Sequence, residues 1–350
     1  MPEIMQVVPI LFVGFAASLV LTPVSRQLAL RLGVIDQPAQ RKLHLDSKPM
    51  MGGLAIYLAL ALTLLLFSPA RHIAALAAVL AGAALLALLG LLDDRYDLSW
   101  RRKAPVMLLA AAGMAATGVK VMLTGVDGID VPLTVIWIFV ITNAVNYLDN
   151  MDGQSAGTTA IAAFFFLVIA WSQDLSLVSL LAAAVLGSAL GFLVYNFNPS
   201  SSFMGDMGTL PLGFILAVLA IKLQFDQAPS LRWFIPVFVL ALPVFDVNLV
   251  TWTRILEGRS VAEAGRDHTA HRLLATGRGQ RETLVLLLGF CTLYGLLALL
   301  ISEVSPAMQP PMVALGVLSL LLWGLLLARM RRRQRRAEGP AVRQRPTNGL

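Results

Sequence analysis

Pro132-Leu133-Thr134-Val135-Ile136-Trp137-Ile138-Phe139-Val140-Ile141-Thr142-Asn143-Ala144-Val145-Asn146-Tyr147-Leu148-Asp149-Asn150-Met151-Asp152-Gly153 decides how the whole chain is read. Its first part is an apolar run about as long as the ~20 residues that cross ~30 Å of hydrocarbon. Inside lipid such a run must be a helix, because only a helix satisfies its own backbone polar groups. Its second part gathers amides and acids at the bilayer edge. Asn143, Asn146 and Asn150 recur at i, i+3 and i+7, the spacing of one helical face. Asp149 flanks that face, and Asp152-Gly153 is placed to turn the chain. Such groups need partners, either on a neighbouring helix or on a ligand.

The same apolar pattern recurs along the chain. Candidate spans are 5–24, 51–67, 73–92, 104–122, 132–149, 155–171, 175–195, 208–223, 233–252, 283–302 and 310–328, with 51–67 and 208–223 short enough to tilt or re-enter. Hydrophobic residues make up 57% of the sequence and charged ones 13%, about half the charged share of a soluble domain. The fold class is therefore all-α, a polytopic integral membrane bundle of about eleven transmembrane helices. Residues 1–328 read as one transmembrane domain and 329–350 as a basic, disordered cytosolic tail. The start carries no basic n-region, so 5–24 reads as a retained span. The single Cys291 permits no internal disulfide.

Orientation follows from Lys and Arg. With the N-terminus outside and the C-terminus in the cytosol, 23 of the 27 basic residues fall on the inner side. Eight arginines of the tail read as an anchor on anionic lipid, and no nucleic-acid reader stands beside them.

Ten aspartates lie on the same inner side: Asp36, Asp46, Asp93, Asp94, Asp97, Asp149, Asp152, Asp206, Asp246 and Asp267. Ionisable groups bordering apolar spans are costly and usually functional. Carboxylates and cations at one membrane face suit a polyanionic substrate carried with a hard metal such as Mg²⁺. Arg41, Lys42, His44 and Lys48 form a cationic loop before Gly52-Gly53. Asp93-Asp94 end the third span, where a frayed helix end would let both face one ligand. Asn196, Phe203, Gly205 and Asp206 open the eighth span. Pro236 and Pro243 are placed to bend the ninth, with Asp246 and Asn248 after them. His268 and His271 stand at i, i+3 in the last inner loop beside Arg272; two ligands are too few for zinc.

Taken in order, these segments resemble the polyprenyl-phosphate N-acetylhexosamine-1-phosphate transferase family over about residues 33–276. The resemblance rests on Asp36-x-Pro-x-x-Arg41-Lys42-x-His44, Pro49-x-x-Gly52-Gly53, Asp93-Asp94, and Asn143-x-x-Asn146-x-x-Asp149-x-x-Asp152-Gly153. Asn196…Phe203-x-Gly205-Asp206-x-Gly208, Pro243-x-x-Asp246 and His268-x-x-His271-Arg272 complete it. Two positions depart from the pattern. His268-Thr269-Ala270-His271 stands where His-x-His-His is frequent, and Asn150 replaces a common Gly. The muramoyl-pentapeptide branch, with three histidines in a row, is less similar than the branch using UDP-N-acetylglucosamine.

The resemblance implies a multi-pass plasma-membrane enzyme with its active site facing the cytoplasm. It implies transfer of a sugar 1-phosphate from a UDP-sugar to undecaprenyl or another polyprenyl phosphate, with release of UMP, in cell-wall or surface-glycan synthesis. Mg²⁺, with Mn²⁺ as an alternative, would sit on Asp206 and Asp149. Asp93, Asp94, His268 and His271 would complete the catalytic set. Arg41, Lys42, His44, Lys48, Asn143, Asn146, Asp152, Asn196, Phe203 and Arg272 would bind substrate, with Asp152, Asn196 and Phe203 on the nucleotide. A homodimer is compatible with the sequence. The competing classes are a secondary transporter of an anionic solute, which would show repeated halves with midplane polar groups, and a CDP-alcohol phosphotransferase, whose Asp-Gly-x-x-Ala-Arg pattern is missing.

Overall fold

The computed structural model describes residues 4–36, 47–223, 231–261 and 265–337. Arg41, Lys42 and His44 lie outside the described residues, as do the tail arginines beyond 337. The chain is a bundle of helices: α1 (Ile4–Leu32), α2 (Gly52–Phe67), α3 (Ile73–Tyr96), α4 (Trp100–Ala116), α5 (Asp127–Tyr147), α6 (Gln154–Ser172), α7 (Ser176–Asn196) and α8 (Asp206–Lys222) come first. They are followed by α9 (Phe234–Val239), α10 (Ala241–Leu256), α11 (Thr269–Leu274), α12 (Gln280–Glu303) and α13 (Gln309–Ala337). A small antiparallel ladder pairs Ile35–Asp36 with Lys48–Pro49 and closes the loop between α1 and α2.

Each apolar segment expected from the sequence is helical, with three differences. The fourth runs 100–116 rather than 104–122, because Thr117 turns its hydroxyl back to the Met114 carbonyl and ends the helix. The ninth is two helices, α9 and α10, meeting at 84°. Pro243 has no N–H to offer the Val239 carbonyl, so the backbone ladder breaks at Leu240, between the two prolines. Lastly, the expected disordered tail is helical through 329–337. Its Arg-rich sequence contains good helix formers, and Arg331 is tied down as described below.

Helices α1, α3, α5, α6, α7, α12 and α13 are long and apolar enough to cross a membrane, and the bent α9–α10 pair is an eighth candidate. Helices α2, α4 and α8 are shorter, at 16, 17 and 17 residues. Burial separates the middle of the bundle from its rim: 78% of the apolar window of α7 is covered by protein, against 17% for α13. Helix α8 is buried from Met207 to Ile221, so it is the central post on which the site is mounted. The rim shows the leucines expected against lipid, among them Leu315, Leu318, Leu321, Leu322 and Leu325 on α13.

A second, smaller apolar core lies under the polar end. Leu148 and Met151 join Leu242 and Phe245 of α10, Ala270 and Leu273 of α11, Leu284, Leu287 and Cys291 of α12, and Leu327 of α13. It fastens the loop carrying Asp149 and Asp152 to the segment carrying the histidines.

Candidate active site

The site is built around the first turn of α8. Gly205 precedes it with φ +69°, a conformation that side chains with a Cβ rarely adopt. No side chain of this segment caps the helix. Asp94 of α3 does so from outside, accepting the N–H of Asp206 on Oδ1 at 2.9 Å and that of Met207 on Oδ2 at 3.1 Å. These are two of the orphan donors at any helix start. Helix α3 approaches this closely because residue 90 is glycine; a Cβ there would collide with the Asp206 backbone.

Asp206 then projects from the start of α8 with both carboxylate oxygens engaged. Asn146 of α5 donates to Oδ1 at 2.7 Å, and Lys103 of α4 donates to Oδ2 at 3.2 Å. The same Lys103 ammonium lies 2.7 Å from Asp93 Oδ2, while the Leu98 N–H holds the other Asp93 oxygen at 2.8 Å. One cation therefore bridges acids from α3 and α8. Asp149 stands in the turn after α5, half-buried. Burial first, and then the charges of Asp206 and Asp36, raise its carboxyl to about 7, against a bond from the Gly205 N–H that favours the anion.

Beside this group lies a second one, centred on Asp152. Its carboxylate accepts from the Ser200 N–H at 2.9 Å, the Ser200 hydroxyl at 2.8 Å and Asn198 Nδ2 at 3.0 Å. Lys48 donates to Ser200 Oγ at 3.0 Å, sits 3.7 Å from Asp152 Oδ2, and lies 5.1 Å from the centre of the Phe203 ring. Asn196 is buried and stitches the two strands of this group together, accepting the Gly153 N–H and donating to the Ser202 carbonyl.

A third group carries the histidines. His268 Nδ1 is 2.7 Å from Asp246 Oδ2, and the Thr269 N–H donates to the other Asp246 oxygen at 2.6 Å. Asp246 is fully buried on α10. The His268 ring meets Tyr147, the residue after Asn146, edge-on at 6.0 Å. His271 is held neutral: burial, then the charges of His268 and Arg266, lower its imidazole to about 4.

Residues 76–224 match the family described as Glycosyl transferase family 4. The chain is 33% identical over 302 residues to a protein of Bacillus subtilis (strain 168) named probable undecaprenyl-phosphate N-acetylglucosaminyl 1-phosphate transferase, covering 82% of this chain and 83% of that one. It is 31% identical to the decaprenyl-phosphate N-acetylglucosaminephosphotransferase of Mycobacterium leprae (strain TN), over 74% of this chain and 75% of the relative. A Yersinia pestis protein named undecaprenyl-phosphate alpha-N-acetylglucosaminyl 1-phosphate transferase is 25% identical, over 92% and 94%. This chain belongs to glycosyl transferase family 4.

Within that family framework the structure brings Asp93, Asp94, Asn146, Asp149 and Asp206 to one place, and Lys48, Asp152, Asn196 and Phe203 to the place beside it. It changes several details expected from sequence. Asp93 and Asp94 do not share a frayed end: the helix runs on to Tyr96, Asp97 closes it in a left-handed conformation, and the two carboxylates diverge to Lys103 and to α8. The asparagine stripe is also broken, because α5 ends at Tyr147. Asn146 reaches Asp206, Asn143 bonds back to the Phe139 carbonyl of its own helix, and Asn150 bonds the Tyr147 carbonyl in the turn. Arg272 is 2% exposed and spends its guanidinium on the Asp267 carbonyl and the Thr253 hydroxyl. Sequence reasoning did not single out Lys103 as a site residue. It sits among Arg95, Arg101 and Arg102, and only the packing of α4 on α3 distinguishes it.

Among the described residues no group of three or more His, Cys, Asp or Glu side chains is gathered tightly enough to hold a metal alone. Mg²⁺ does not need one, since it binds through one or two carboxylates plus substrate phosphates and water. The two carboxylates that would hold the ion, those of Asp206 and Asp149, offer oxygen alone. Burial and the neighbouring acids that raise Asp149 disfavour its anion, and a divalent cation held by Asp149 and Asp206 would offset them. The residues fit such an ion.

Proposed function

We propose that this chain transfers N-acetylglucosamine 1-phosphate from UDP-N-acetylglucosamine to a polyprenyl phosphate and releases UMP. The observation that carries the reading is the gathering of Asp206, Asp149, Asp93 and Lys103 around one helix start, beside the Lys48, Asp152 and Phe203 side chains. The names of the relatives supply the sugar and the lipid class; the geometry supports the division of labour. The bias of Lys and Arg toward one side supports a cytoplasmic site in the plasma membrane.

Asp206 and Asp149 would hold Mg²⁺, which when bound neutralises the diphosphate. Phe203 offers a face for the uracil ring, and Lys48, Ser200 and Asp152 offer hydrogen bonds to the nucleoside. An oxygen of the polyprenyl phosphate attacks the β-phosphorus. The bond to the bridging oxygen breaks, and UMP leaves with that electron pair. A phosphate monoester has a second pKa of ~6 and is already largely dianionic at pH 7, so no strong base is required. Catalysis is then positioning and charge neutralisation. Lys103, already bridging two acids, is placed to receive the acceptor phosphate, with Asp93 orienting the ammonium. Asp94 has both oxygens on the α8 backbone and acts as a positioning residue. His268, held by buried Asp246, faces the same end of α5 and serves the diphosphate. His271 and Arg272 shape its loop.

The test mixes purified protein, undecaprenyl phosphate and Mg²⁺ with a panel of UDP-sugars, following UMP and lipid-linked sugar together. Equal amounts of both products, with UDP-N-acetylglucosamine preferred, are expected. UMP without glycolipid, or no turnover with any UDP-sugar, overturns the reading.

A further inference from the structure

The described arginines at the end of α13 do not all behave as a lipid anchor should. Arg329 and Arg332 are exposed. Arg331 is turned inward, its side chain 14% exposed. Its Nε and one terminal nitrogen meet the two Glu257 carboxylate oxygens at 3.0 Å each, a bidentate pair, and its other terminal nitrogen meets Asp267 Oδ1. Asp267 is almost fully buried and is also reached by Arg254 Nε at 3.1 Å and Arg259 at 3.2 Å. Burial raises its carboxyl, but Arg331, and after it Arg254 and Arg259, outweigh that and hold it far below the ordinary range.

This network has a direction. The Asp267 carbonyl accepts from Arg272 Nε at 2.8 Å, Arg254 donates to the Val261 carbonyl at 2.6 Å, and the residue after Asp267 is His268. About one turn before Arg331, Leu327 of α13 is fully buried in the apolar core that also holds Leu148 and Met151, on either side of Asp149, and Ala270, beside His271. The last helix is therefore tied to this end of the bundle twice, by Arg331 in the ionic cluster at Asp267 and by Leu327 in the apolar core shared with residues next to Asp149 and His271.

We propose that Arg331 is a positioning residue of the reaction: it latches Glu257 and Asp267 to α13 and so sets where His268, the residue after Asp267, stands relative to Asp206. What is positioned rests on the transferase reading above; the latch itself does not. Removing one partner from a buried ionic cluster leaves charge uncompensated, so the residues from Asp267 onward should loosen when Arg331 goes.

The full chain in lipid nanodiscs is compared as wild type, Arg331→Ala, Arg331→Lys and Arg332→Ala. Two readouts are taken: amide hydrogen exchange over 265–274, and KM and kcat for UDP-N-acetylglucosamine and undecaprenyl phosphate. Arg331→Ala is expected to speed exchange in the segment by at least tenfold and to raise KM for the nucleotide sugar at least fivefold, leaving KM for the lipid unchanged. Arg331→Lys restores part of both, and Arg332→Ala matches wild type. If Arg331→Ala does not insert, Glu257→Gln, which weakens the bidentate acceptor, carries the same comparison. Wild-type exchange and wild-type KM in Arg331→Ala overturn the proposal. A wild-type protein inactive on every UDP-sugar overturns the transferase reading instead, and the exchange arm still decides the latch.

Discussion

Lys103 joins two acids of the site. Its ammonium touches Asp93 and Asp206 together, and nothing in the alternation of Arg101, Arg102 and Lys103 marks it out in the sequence. Removing it leaves two carboxylates facing each other without the cation between them. Lys103→Ala is expected to lower kcat/KM at least tenfold, about 1.4 kcal/mol of transition-state stabilisation, with insertion unchanged; turnover within twofold of wild type would remove Lys103 from the site. His271 gives a pH prediction. Its folded pKa, about 4, lies below the ordinary 6.5, so between those values the unfolded chain binds the extra proton. Stability contributed by neutral His271 is therefore fully present above pH 6.5 and is lost as pH falls toward 4. His271→Gln, which does not titrate, should lose less melting temperature between pH 6.5 and pH 5 than wild type does. An equal loss in both proteins would refute the assignment.

At the scale of elements, α3 and α8 form one unit. Gly90 lets them approach, and Asp94 then caps α8 and fixes where Asp206 projects. Gly90→Ala should push α8 off its seat and cut turnover at least tenfold while the protein still inserts; normal turnover would mean that the helices yield freely. This unit also shows what a sequence conveys and what it withholds. Apolar run length revealed α3 and α8 as helices, and the acids bordering those runs were visible as costly residues demanding a reason. That Asp94 belongs to the α8 backbone and Asp93 to Lys103 was not visible, because it depends on which helices pack together. The asparagine stripe misled for a related reason: periodicity assumed the helix continued, whereas α5 stops at Tyr147 and the turn reassigns Asn150. The break at Leu240 was foreshadowed by two prolines, but its 84° angle was not.

For the molecule as a whole, buried helices α6, α7 and α8 form the centre. Lipid-facing helices surround it, and the polar groups collect at the ends of α3, α5 and α8. Composition and spacing made the membrane bundle and its acidic end legible; the loop holding Arg41, Lys42 and His44 lies outside the described residues. The oxygen-only donor set predicts that a chelator abolishes UMP release and that added Mg²⁺ or Mn²⁺ restores it, while full activity in excess EDTA would rule out a cation at Asp206 and Asp149. The most direct test of the central claim compares UMP release by wild type and Asp206→Asn, both confirmed as inserted, with UDP-N-acetylglucosamine, undecaprenyl phosphate and Mg²⁺. Loss of release by at least a hundredfold in the variant is the predicted result, and near-normal release would contradict the account.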